Sequence, residues 1–198
     1  MKAASILLEY AGSAERPQEY PRWQLPEIAV IGRSNAGKSS LINTLGGRHD
    51  LARVSKTPGR TQRLHFFAER RLGLALVDLP GYGFARASKD DRARFADAAE
   101  RYLLEREPLR GLVLLIDVRR TPEADERMLV ALARSRGIGL VRVATKVDKL
   151  GRAERARRLR DLDGAGLGPW LAFSATSREG RDAVVRAIAE LALAGAVP

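Results

Sequence analysis

From Glu27 onward, short apolar runs alternate with longer amphipathic stretches. Nearly every position in these runs is apolar, which is typical of strands in a parallel sheet covered on both faces. A further stretch, Arg63–Ala68, leads through a short turn into Arg71–Asp78, and we expect it to pair antiparallel at one edge. The five predicted buried strands are Ile28–Ile31, Leu74–Val77, Leu112–Ile116, Leu140–Ala144 and Trp170–Phe173.

The stretches between these runs carry apolar residues at helical spacing, with recognisable start and stop signals. Thr121 followed by Pro122 predicts the start of one helix, and Gly137 predicts its end. We therefore predict an α/β fold of three layers, with a six-stranded, mostly parallel sheet, one antiparallel edge strand and helices on both faces. The predicted inward-facing helix positions are Leu41, Ile42 and Leu45, then Phe95, Ala99, Tyr102 and Leu103, and finally Val184, Val185, Ile188 and Leu191. Residues 1–23, polar and proline-containing, are predicted to be an N-terminal arm, and 24–198 a single domain.

Composition narrows the possible chemistry of the 198-residue chain. It has no cysteine and only two histidines, which excludes disulfides, thiolate zinc sites, iron–sulfur clusters and a cysteine nucleophile. The net charge of +11 favours a polyphosphate partner, nucleic acid foremost, although a general preference for arginine codons would give the same excess. The apolar run near the N-terminus is too short for a signal or membrane segment, so we expect a cytoplasmic protein with no membrane partner.

The strongest motif is Gly32-Arg33-Ser34-Asn35-Ala36-Gly37-Lys38-Ser39, directly after the first predicted strand. It matches the phosphate-binding loop G-x-x-x-x-G-K-[ST], in which successive backbone N–H groups point at phosphate oxygens. Lys38 is expected to meet the β and γ phosphates, and the Ser39 hydroxyl to ligate Mg²⁺. The helix that follows adds the positive end of its dipole.

Asp78-Leu79-Pro80-Gly81 follows the next predicted strand. A carboxylate there emerges at the carboxyl edge of the sheet, where ligands of open α/β sheets bind. Asp78 is expected to hold Mg²⁺ from the second shell, and the N–H of Gly81 to approach a γ-phosphate. An isolated aspartate in this place would merely cap a turn, and the phosphate loop makes the functional interpretation preferable.

Thr145-Lys146-Val147-Asp148 ends a third predicted strand. An aspartate can accept both the ring N–H and the exocyclic amine of guanine, whereas adenine offers no such donor pair. The alkyl stem of Lys146 can lie over the base while its amine stays solvated. Ser174-Ala175-Thr176, after the last strand, would supply a backbone N–H to the guanine O6.

Together these signals resemble the translation-factor-related class of P-loop GTPases, and most closely the EngB (YihA/YsxC) family of bacterial ribosome-biogenesis GTPases. The likeness covers roughly residues 24–192. It is carried by the sequence from Leu25 to Asn43, by Ser55-Lys56-Thr57-Pro58-Gly59-Arg60-Thr61-Gln62, by Asp78-Leu79-Pro80-Gly81-Tyr82-Gly83-Phe84-Ala85, and by the Thr-Lys-x-Asp-Lys at 145–149.

This resemblance implies a Ras-like G domain that binds GTP and GDP with Mg²⁺. It makes Thr61 the switch threonine on Mg²⁺ and the γ-phosphate, with Thr57 as the alternative, and gives Lys38, Thr61 and Gly81 the catalytic roles. The metal set would be Ser39, Thr61 and, in the second shell, Asp78. The implied nucleotide-binding residues are Gly32, Arg33, Ser34, Asn35, Ala36, Gly37, Lys38, Ser39, Ser40, Gly59, Arg60, Thr61, Gln62, Asp78, Leu79, Pro80, Gly81, Thr145, Lys146, Val147, Asp148, Ser174, Ala175 and Thr176.

Three positions bear on the activity. Tyr82 stands where many GTPases have the glutamine that orients the attacking water, which predicts slow intrinsic hydrolysis aided by a partner or a cation. Asn35 resembles the asparagine that K⁺-stimulated relatives use as a cation ligand, although it would equally stabilise its own loop. Thr145 replaces the commoner asparagine of the guanine motif.

The resemblance implies a switch in large-subunit assembly that contacts rRNA and ribosomal proteins, linked to septation and cell division, and we expect a monomer. Basic residues flank both predicted switches. A further group lines a predicted helix, where it either meets the same phosphate-rich partner or is merely solvated: Arg152, Arg155, Arg157, Arg158 and Arg160. Three alternatives stay open: an ATP-using phosphotransferase, a non-catalytic module that nucleotide only stabilises, and a nucleic-acid-binding protein without a nucleotide cycle. The switch-flanking bases are Arg48, Arg53, Lys56, Arg60 and Arg63, then Arg86, Lys89, Arg92 and Arg94.

Overall fold

The computed structural model describes residues 6–52, 63–82 and 98–194. Seven strands form one sheet in the order β1-β3-β4-β2-β5-β6-β7. β2 pairs in parallel with β4 and β5, and β6 continues the parallel set to β7. In chain order the strands are β1 Leu8–Ala14, β2 Glu27–Gly32, β3 Leu64–Glu69, β4 Leu74–Asp78, β5 Leu109–Asp117, β6 Gly139–Thr145 and β7 Leu171–Ala172.

The sheet has one strand more than the expected six and two antiparallel pairings rather than one. The additional strand is β1, which lies in the predicted arm and pairs antiparallel with β3 at the edge of the sheet. Within β1, Leu8 and Ala14 are buried, while Tyr10 is 53% exposed. A bulge between Tyr10 and Gly12 interrupts the alternation, so the segment lacks the apolar run of an interior strand.

Five helices cover the two faces, as predicted for a three-layer fold. α1 and α5 pack on one face through Leu41, Ile42, Leu45, Val184, Val185 and Ile188. α2, α3 and α4 pack on the other through Tyr102, Leu103, Leu129, Val130, Ala133 and Leu162. Their bounds are α1 Lys38–Gly46, α2 98–105, α3 Ala124–Ser135, α4 Arg152–Leu162 and α5 Arg181–Ala194. Among the residues described here, none of these helices combines the length and apolar character needed to cross a membrane.

α3 begins later than the Thr121-Pro122 signal predicted. Its N-cap is Glu123, whose N–H donates to the Glu126 carboxylate at 2.7 Å, an acidic variant of the capping box. The predicted end is correct, since Gly137 follows the helix with φ +64°.

A buried carboxylate fixes the arm to the rest of the fold. Glu27, at the start of β2, is fully buried and accepts hydrogen bonds from Trp23 Nε1 and the Tyr102 hydroxyl, both at 2.6 Å. Arg106 completes the cluster with Nε 2.9 Å from Glu27 Oε2 and with a bond of 2.9 Å to Pro21 O. Trp23 therefore holds the segment before β2 at the end of the sheet opposite the predicted motifs.

Candidate nucleotide-binding site

The polar residues singled out by the sequence meet at one edge of the sheet. Gly32, Asp78 and Thr145 are the last residues of β2, β4 and β6, three strands that run in parallel. Asp117, at the end of β5, lies between two of them in the strand order. The carboxyl edge of a parallel sheet is where open α/β folds bind their ligands.

The loop between β2 and α1 has the backbone of an anion-binding turn. Asn35 and Gly37 have φ values of +64° and +99°, and α1 begins at Lys38 directly after Gly37. The first amides of α1 have no partner within the helix and are free to meet phosphate. A Cβ on Gly32 would lie 2.7 Å from the carbonyl oxygen of Leu115, so only glycine fits where this loop leaves the sheet.

Lys38, Asp78 and Gly81 converge at the inner side of this loop. A Cβ on Gly81 would lie 2.8 Å from Lys38 Nζ and 3.2 Å from the carbonyl oxygen of Gly32. Burial lowers the pKa of Lys38, an effect that the Asp78 carboxylate opposes. Burial raises the pKa of Asp78 to about 6, although the Lys38 ammonium pulls it down.

Asp78 fits the metal role predicted for it. It is 4% exposed, and its Oδ1 has no hydrogen-bond partner among the described residues. A buried acceptor left without a donor is costly unless a ligand, ion or water supplies one. Ser39, the residue predicted to ligate the metal, and Ser40 lie in the first turn of α1, directly after Lys38. The residues present therefore fit a hydrated Mg²⁺ held beside phosphate.

The predicted guanine-binding loop is hydrogen-bonded to the backbone of the phosphate loop. Lys146, in the left-handed conformation with φ +60°, donates from Nζ to the carbonyl oxygen of Asn35 at 2.7 Å. The Thr145 hydroxyl lies 2.7 Å from the carbonyl oxygen of Ala36 and 3.0 Å from that of Ile116. Thr145 stands where asparagine is commoner, and its hydroxyl itself joins the guanine-binding loop to the phosphate loop.

Asp148 and Ser174, both predicted to surround the base, are joined directly. Ser174 Oγ donates to Asp148 Oδ1 at 2.7 Å, and this bond lowers the pKa of Asp148. The backbone N–H of Ser174 donates to Glu179 O at 3.0 Å, which leaves Ala175 and Thr176 as amide donors for a base. The side chains of Leu79 and Val147 are fully buried in the core, so only their backbones are available to a ligand.

Sequence reasoning missed Asp117, a buried residue of the site. Arg119 donates to it from Nε at 2.9 Å and Nη2 at 2.6 Å, and Lys146 Nζ lies 3.1 Å from Oδ2. Burial alone would raise the pKa of Asp117, but the bonds from Arg119 and Lys146 outweigh it and hold the pKa well below its ordinary value. The available signal was an aspartate directly after an apolar run, the same signal that identified Asp78.

A cavity of about 390 Å³ opens beside the phosphate loop, lined by residues 33–36, 115–117, 119, 120 and 146. On the other side, the Tyr82 hydroxyl donates to the buried Glu126 of α3 at 2.8 Å, and burial raises the pKa of Tyr82. Ser34 N–H donates to Tyr82 O at 2.9 Å. Tyr82, which stands where many GTPases have glutamine, is therefore hydrogen-bonded to α3 through its side chain.

Several predicted residues lie outside the described residues and stay predictions: Thr57, Gly59, Arg60, Thr61 and Gln62, together with Arg53, Lys56, Arg86, Lys89, Arg92 and Arg94. Phe95, a predicted inward-facing helix position, is also outside them. Of the predicted basic helix, α4, two arginines have internal partners: Arg155 pairs with Glu179, and Arg158 donates to the carbonyl oxygens of Val118 and Arg120.

A glycine-rich anion loop before a helix, a buried aspartate at the next strand end and a lysine–aspartate loop on the same edge define a P-loop GTPase. Residues 27–146 match the family model described as a 50S ribosome-binding GTPase. A probable GTP-binding protein EngB from Pelobacter propionicus is 44% identical over 192 residues, covering 96% of each chain. The chain belongs to the EngB family of GTP-binding proteins.

Solved structures share the fold. The crystal structure of a probable GTP-binding protein EngB superposes with a TM-score of 0.69 at 22% identity, covering 85% of this chain and 99% of that one. The structure of Era in complex with MgGDPNP and nucleotides 1506–1542 of 16S ribosomal RNA gives a TM-score of 0.66 at 19% identity, covering 84% of this chain and 56% of Era. The predicted P-loop GTPase fold is confirmed, with the seventh strand as its addition.

Proposed function

We propose that the protein is a Mg²⁺-dependent molecular switch that binds GTP and GDP, hydrolyses GTP slowly on its own and acts in assembly of the large ribosomal subunit. The observation that carries the nucleotide part is the bonding of Thr145 and Lys146 to the phosphate-loop carbonyls of Ala36 and Asn35. These bonds make one continuous site from a loop that suits phosphate and a loop that suits guanine. A link to septation and cell division follows only from the family resemblance.

In this proposal Lys38 and the amides of the phosphate loop neutralise the β and γ phosphates. Ser39 and Thr61 would hold Mg²⁺, with Asp78 in the second shell, and the ion would supply charge stabilisation for the transferred phosphoryl group. Gly81 presents its N–H to the γ-phosphate, and its lack of a Cβ leaves space beside Lys38 Nζ and the backbone of Gly32 and Ser34.

Slow intrinsic hydrolysis has a structural argument at Tyr82. A phenol has no amide to orient water, and this hydroxyl is already bonded to Glu126. The missing contribution would come from the ribosomal partner or from K⁺ near Asn35, whose side chain is exposed in the phosphate loop. Only the backbone carbonyl of Asn35 is used there, by Lys146.

The ribosomal partner is supported by the name of the matching family model and by the net charge of +11. Era, which shares the fold, was solved with ribosomal RNA, and we extend that partner class to this chain as a cytoplasmic monomer that contacts rRNA and ribosomal proteins. Binding to large subunits is then expected to weaken tenfold or more between about 50 and 200 mM salt. Affinity that stays flat over that range would contradict the electrostatic part of the proposal.

Calorimetry with GDP, GTP, ADP and ATP in the presence of Mg²⁺ tests the nucleotide assignment. We expect guanine nucleotides to bind and adenine nucleotides to fail. Asp148→Asn should weaken GDP binding and favour xanthosine diphosphate, since its amide can donate to the C2 carbonyl of xanthine. Asp161→Asn, the same charge change at an exposed position of α4, is the control. An unchanged preference in Asp148→Asn would refute the base assignment.

Single-turnover hydrolysis of GTP, with and without large subunits and with K⁺ or Na⁺, tests the switch. We expect a slow rate alone and a faster one with the partner or with K⁺. A rate at background in all four combinations would favour a binding module in which nucleotide only stabilises the fold.

A further inference from the structure

A cation occupies a core-facing position of β6. Arg142 pairs in register with Leu114 of β5, whose side chain lies in the apolar core under α2, α3 and α4. Its neighbours on the same face of β6, Leu140 and Ala144, both belong to that apolar layer. Strand alternation therefore directs a guanidinium to the face of β6 on which its neighbours along the strand are apolar.

Within residues 6–52, 63–82 and 98–194, no carboxylate lies close enough to pair with Arg142. Arginines at other part-buried positions do have acids: Arg106 pairs with Glu27, and Arg155 pairs with Glu179. Burial lowers the pKa of Arg142, and the nearby Arg134 lowers it further. An unpaired, desolvated cation beside a second cation is costly for the fold, so its retention calls for another explanation.

Two buried N–H donors in this place lack acceptors. Arg142 Nε has no hydrogen-bond partner in the described part of the chain, and neither does the indole Nε1 of Trp170, a residue only 7% exposed. Val143 pairs with Leu171 in parallel, so the residues before them, Arg142 and Trp170, lie side by side on one face. A Cβ on Gly168 would lie 3.0 Å from Arg142 Nη1, which shows that this glycine leaves room for the guanidinium.

Two further arginines lie above this position on α3. Arg127 donates from Nη1 to the carbonyl oxygen of Ala165 at 3.2 Å, which bridges α3 to the turn Asp163–Leu167. Arg134, two turns along α3, is exposed and close to Arg142. We call the group formed by Arg142, Gly168, Trp170 and Arg134, with Arg127 farther along α3, the Arg142 cluster.

We propose that the Arg142 cluster binds a backbone phosphate of RNA. A phosphate would supply acceptor oxygens to the guanidinium of Arg142, which is partly exposed and unpaired among the described residues, and would offset the repulsion between Arg142 and Arg134. RNA is favoured over an acidic protein because α4, which leads into the turn Asp163–Leu167, adds the exposed Arg152, Arg157 and Arg160, and none of these has an acidic partner among the described residues. The inference rests on the proposed ribosomal function and adds the surface that meets rRNA.

The test compares Arg142→Gln with Arg186→Gln, the same charge change at an exposed position of α5 on the opposite face. Filter binding to purified large-subunit rRNA, at several salt concentrations, is the measurement. We expect Arg142→Gln to weaken binding about tenfold at 0.1 M salt and to lower the salt slope by about one, with little change in Arg186→Gln. In a Trp23→Phe background, rRNA should also change the emission of Trp170.

Thermal unfolding separates this role from a structural one. Because Arg142 has no acidic partner among the residues that the structure describes, Arg142→Gln is expected to leave the melting temperature unchanged or to raise it, whereas a structural arginine would lower it. If Arg142→Gln fails to fold, Arg134→Gln on the exposed face of α3 replaces it, with an expected loss of several-fold.

An rRNA affinity and salt slope equal to those of the parent would overturn the proposal, as would a parent that does not bind rRNA. A loss seen with intact subunits but not with purified rRNA would also overturn it, since the occupant would then be a protein carboxylate. GDP calorimetry on the same samples separates the two proposals, because failure to bind GDP would refute the nucleotide site without touching the RNA result.

Discussion

Asp117→Asn tests whether the carboxylate at the end of β5 positions the nucleotide loops. In the structure Asp117 Oδ2 forms a salt bridge with Lys146 Nζ at 3.1 Å. The same ammonium donates a hydrogen bond to the carbonyl oxygen of Asn35. An asparagine keeps the size of the side chain and one acceptor oxygen but removes the charge. Lys146 would then be held less firmly between the phosphate loop and the base.

The magnitude follows from the surroundings of the pair. Hydrogen bonds to charged groups contribute about 1.5–3 kcal/mol, and the Asp117 side chain is only 7% exposed. Lys146 is 32% exposed, so solvent screens part of the interaction, and the amide retains part of the bond. We therefore expect GDP binding to weaken by about 1–2 kcal/mol, or roughly 5- to 30-fold.

Calorimetry of GDP in the presence of Mg²⁺ measures this effect, and Asp161→Asn is again the control of equal charge change. The melting temperature without nucleotide is measured in parallel, so that binding is compared where both variants are folded. An Asp117→Asn protein that binds GDP within twofold of the parent would refute the positioning role. A large loss in Asp161→Asn would point to a long-range charge effect instead.

The pH dependence provides a second check on the same residue. The pKa of Asp117 is lowered in the folded protein, so its contribution is fully present above its ordinary value near 4 and is lost only as the pH falls through the lower folded value. The ratio of parent to Asp117→Asn affinity should therefore stay constant between about pH 5 and 8. A ratio that collapses toward one within that window would show that the carboxylate is not held ionised.

Three further substitutions follow from the contacts. Glu27→Gln leaves Arg106 without its acidic partner and should lower the free energy of unfolding in urea by about 3–5 kcal/mol; a loss below about 1 kcal/mol would contradict the buried ion pair. Tyr82→Phe removes a donor from the buried Glu126 and should cost about 1–2 kcal/mol in thermal unfolding without changing GDP affinity; weaker GDP binding would show that Tyr82 acts in the site. Thr145→Val keeps the shape of the side chain but removes its bond to Ala36 O in the phosphate loop, and calorimetry should show GDP binding weakened about tenfold. Thr145→Ser, which keeps the hydroxyl, should restore binding, and failure to do so would refute the role of that bond.

The interior strands could be predicted because each is buried on both faces. The apolar run Leu74–Val77 became β4 Leu74–Asp78, and Ile28–Ile31 became β2 Glu27–Gly32, with differences of one residue at the ends. β1 escaped prediction because an edge strand buries only alternate residues. Its exposed Tyr10 and the bulge before Gly12 also resemble a loop in sequence.

The motif loops were predictable, whereas the bonds between them were not. A phosphate loop is recognised by residues close together in the chain, but Lys146 and Asn35 are 111 positions apart. The same holds for Arg155, which looks like a solvated cation in sequence until its fold brings Glu179 beside it. Arg142 is the opposite case. It lies within the apolar run Leu140–Ala144, and the sequence does not reveal that this arginine has no acidic partner among the described residues.

Asp78 and Asp117 are the last residues of β4 and β5 and lie at the same edge of the sheet, yet their surroundings shift the pKa of the two carboxylates in opposite directions. Arg119 and Lys146 supply donors to Asp117 and hold its pKa low, so it is already satisfied without any ligand. Asp78 has an oxygen without a donor among the described residues, and burial raises its pKa to about 6. Environments that separate two carboxylates in this way separate their roles. Asp117 is suited to fixing the loops, and Asp78, which the fold leaves unsatisfied, is suited to the incoming ion.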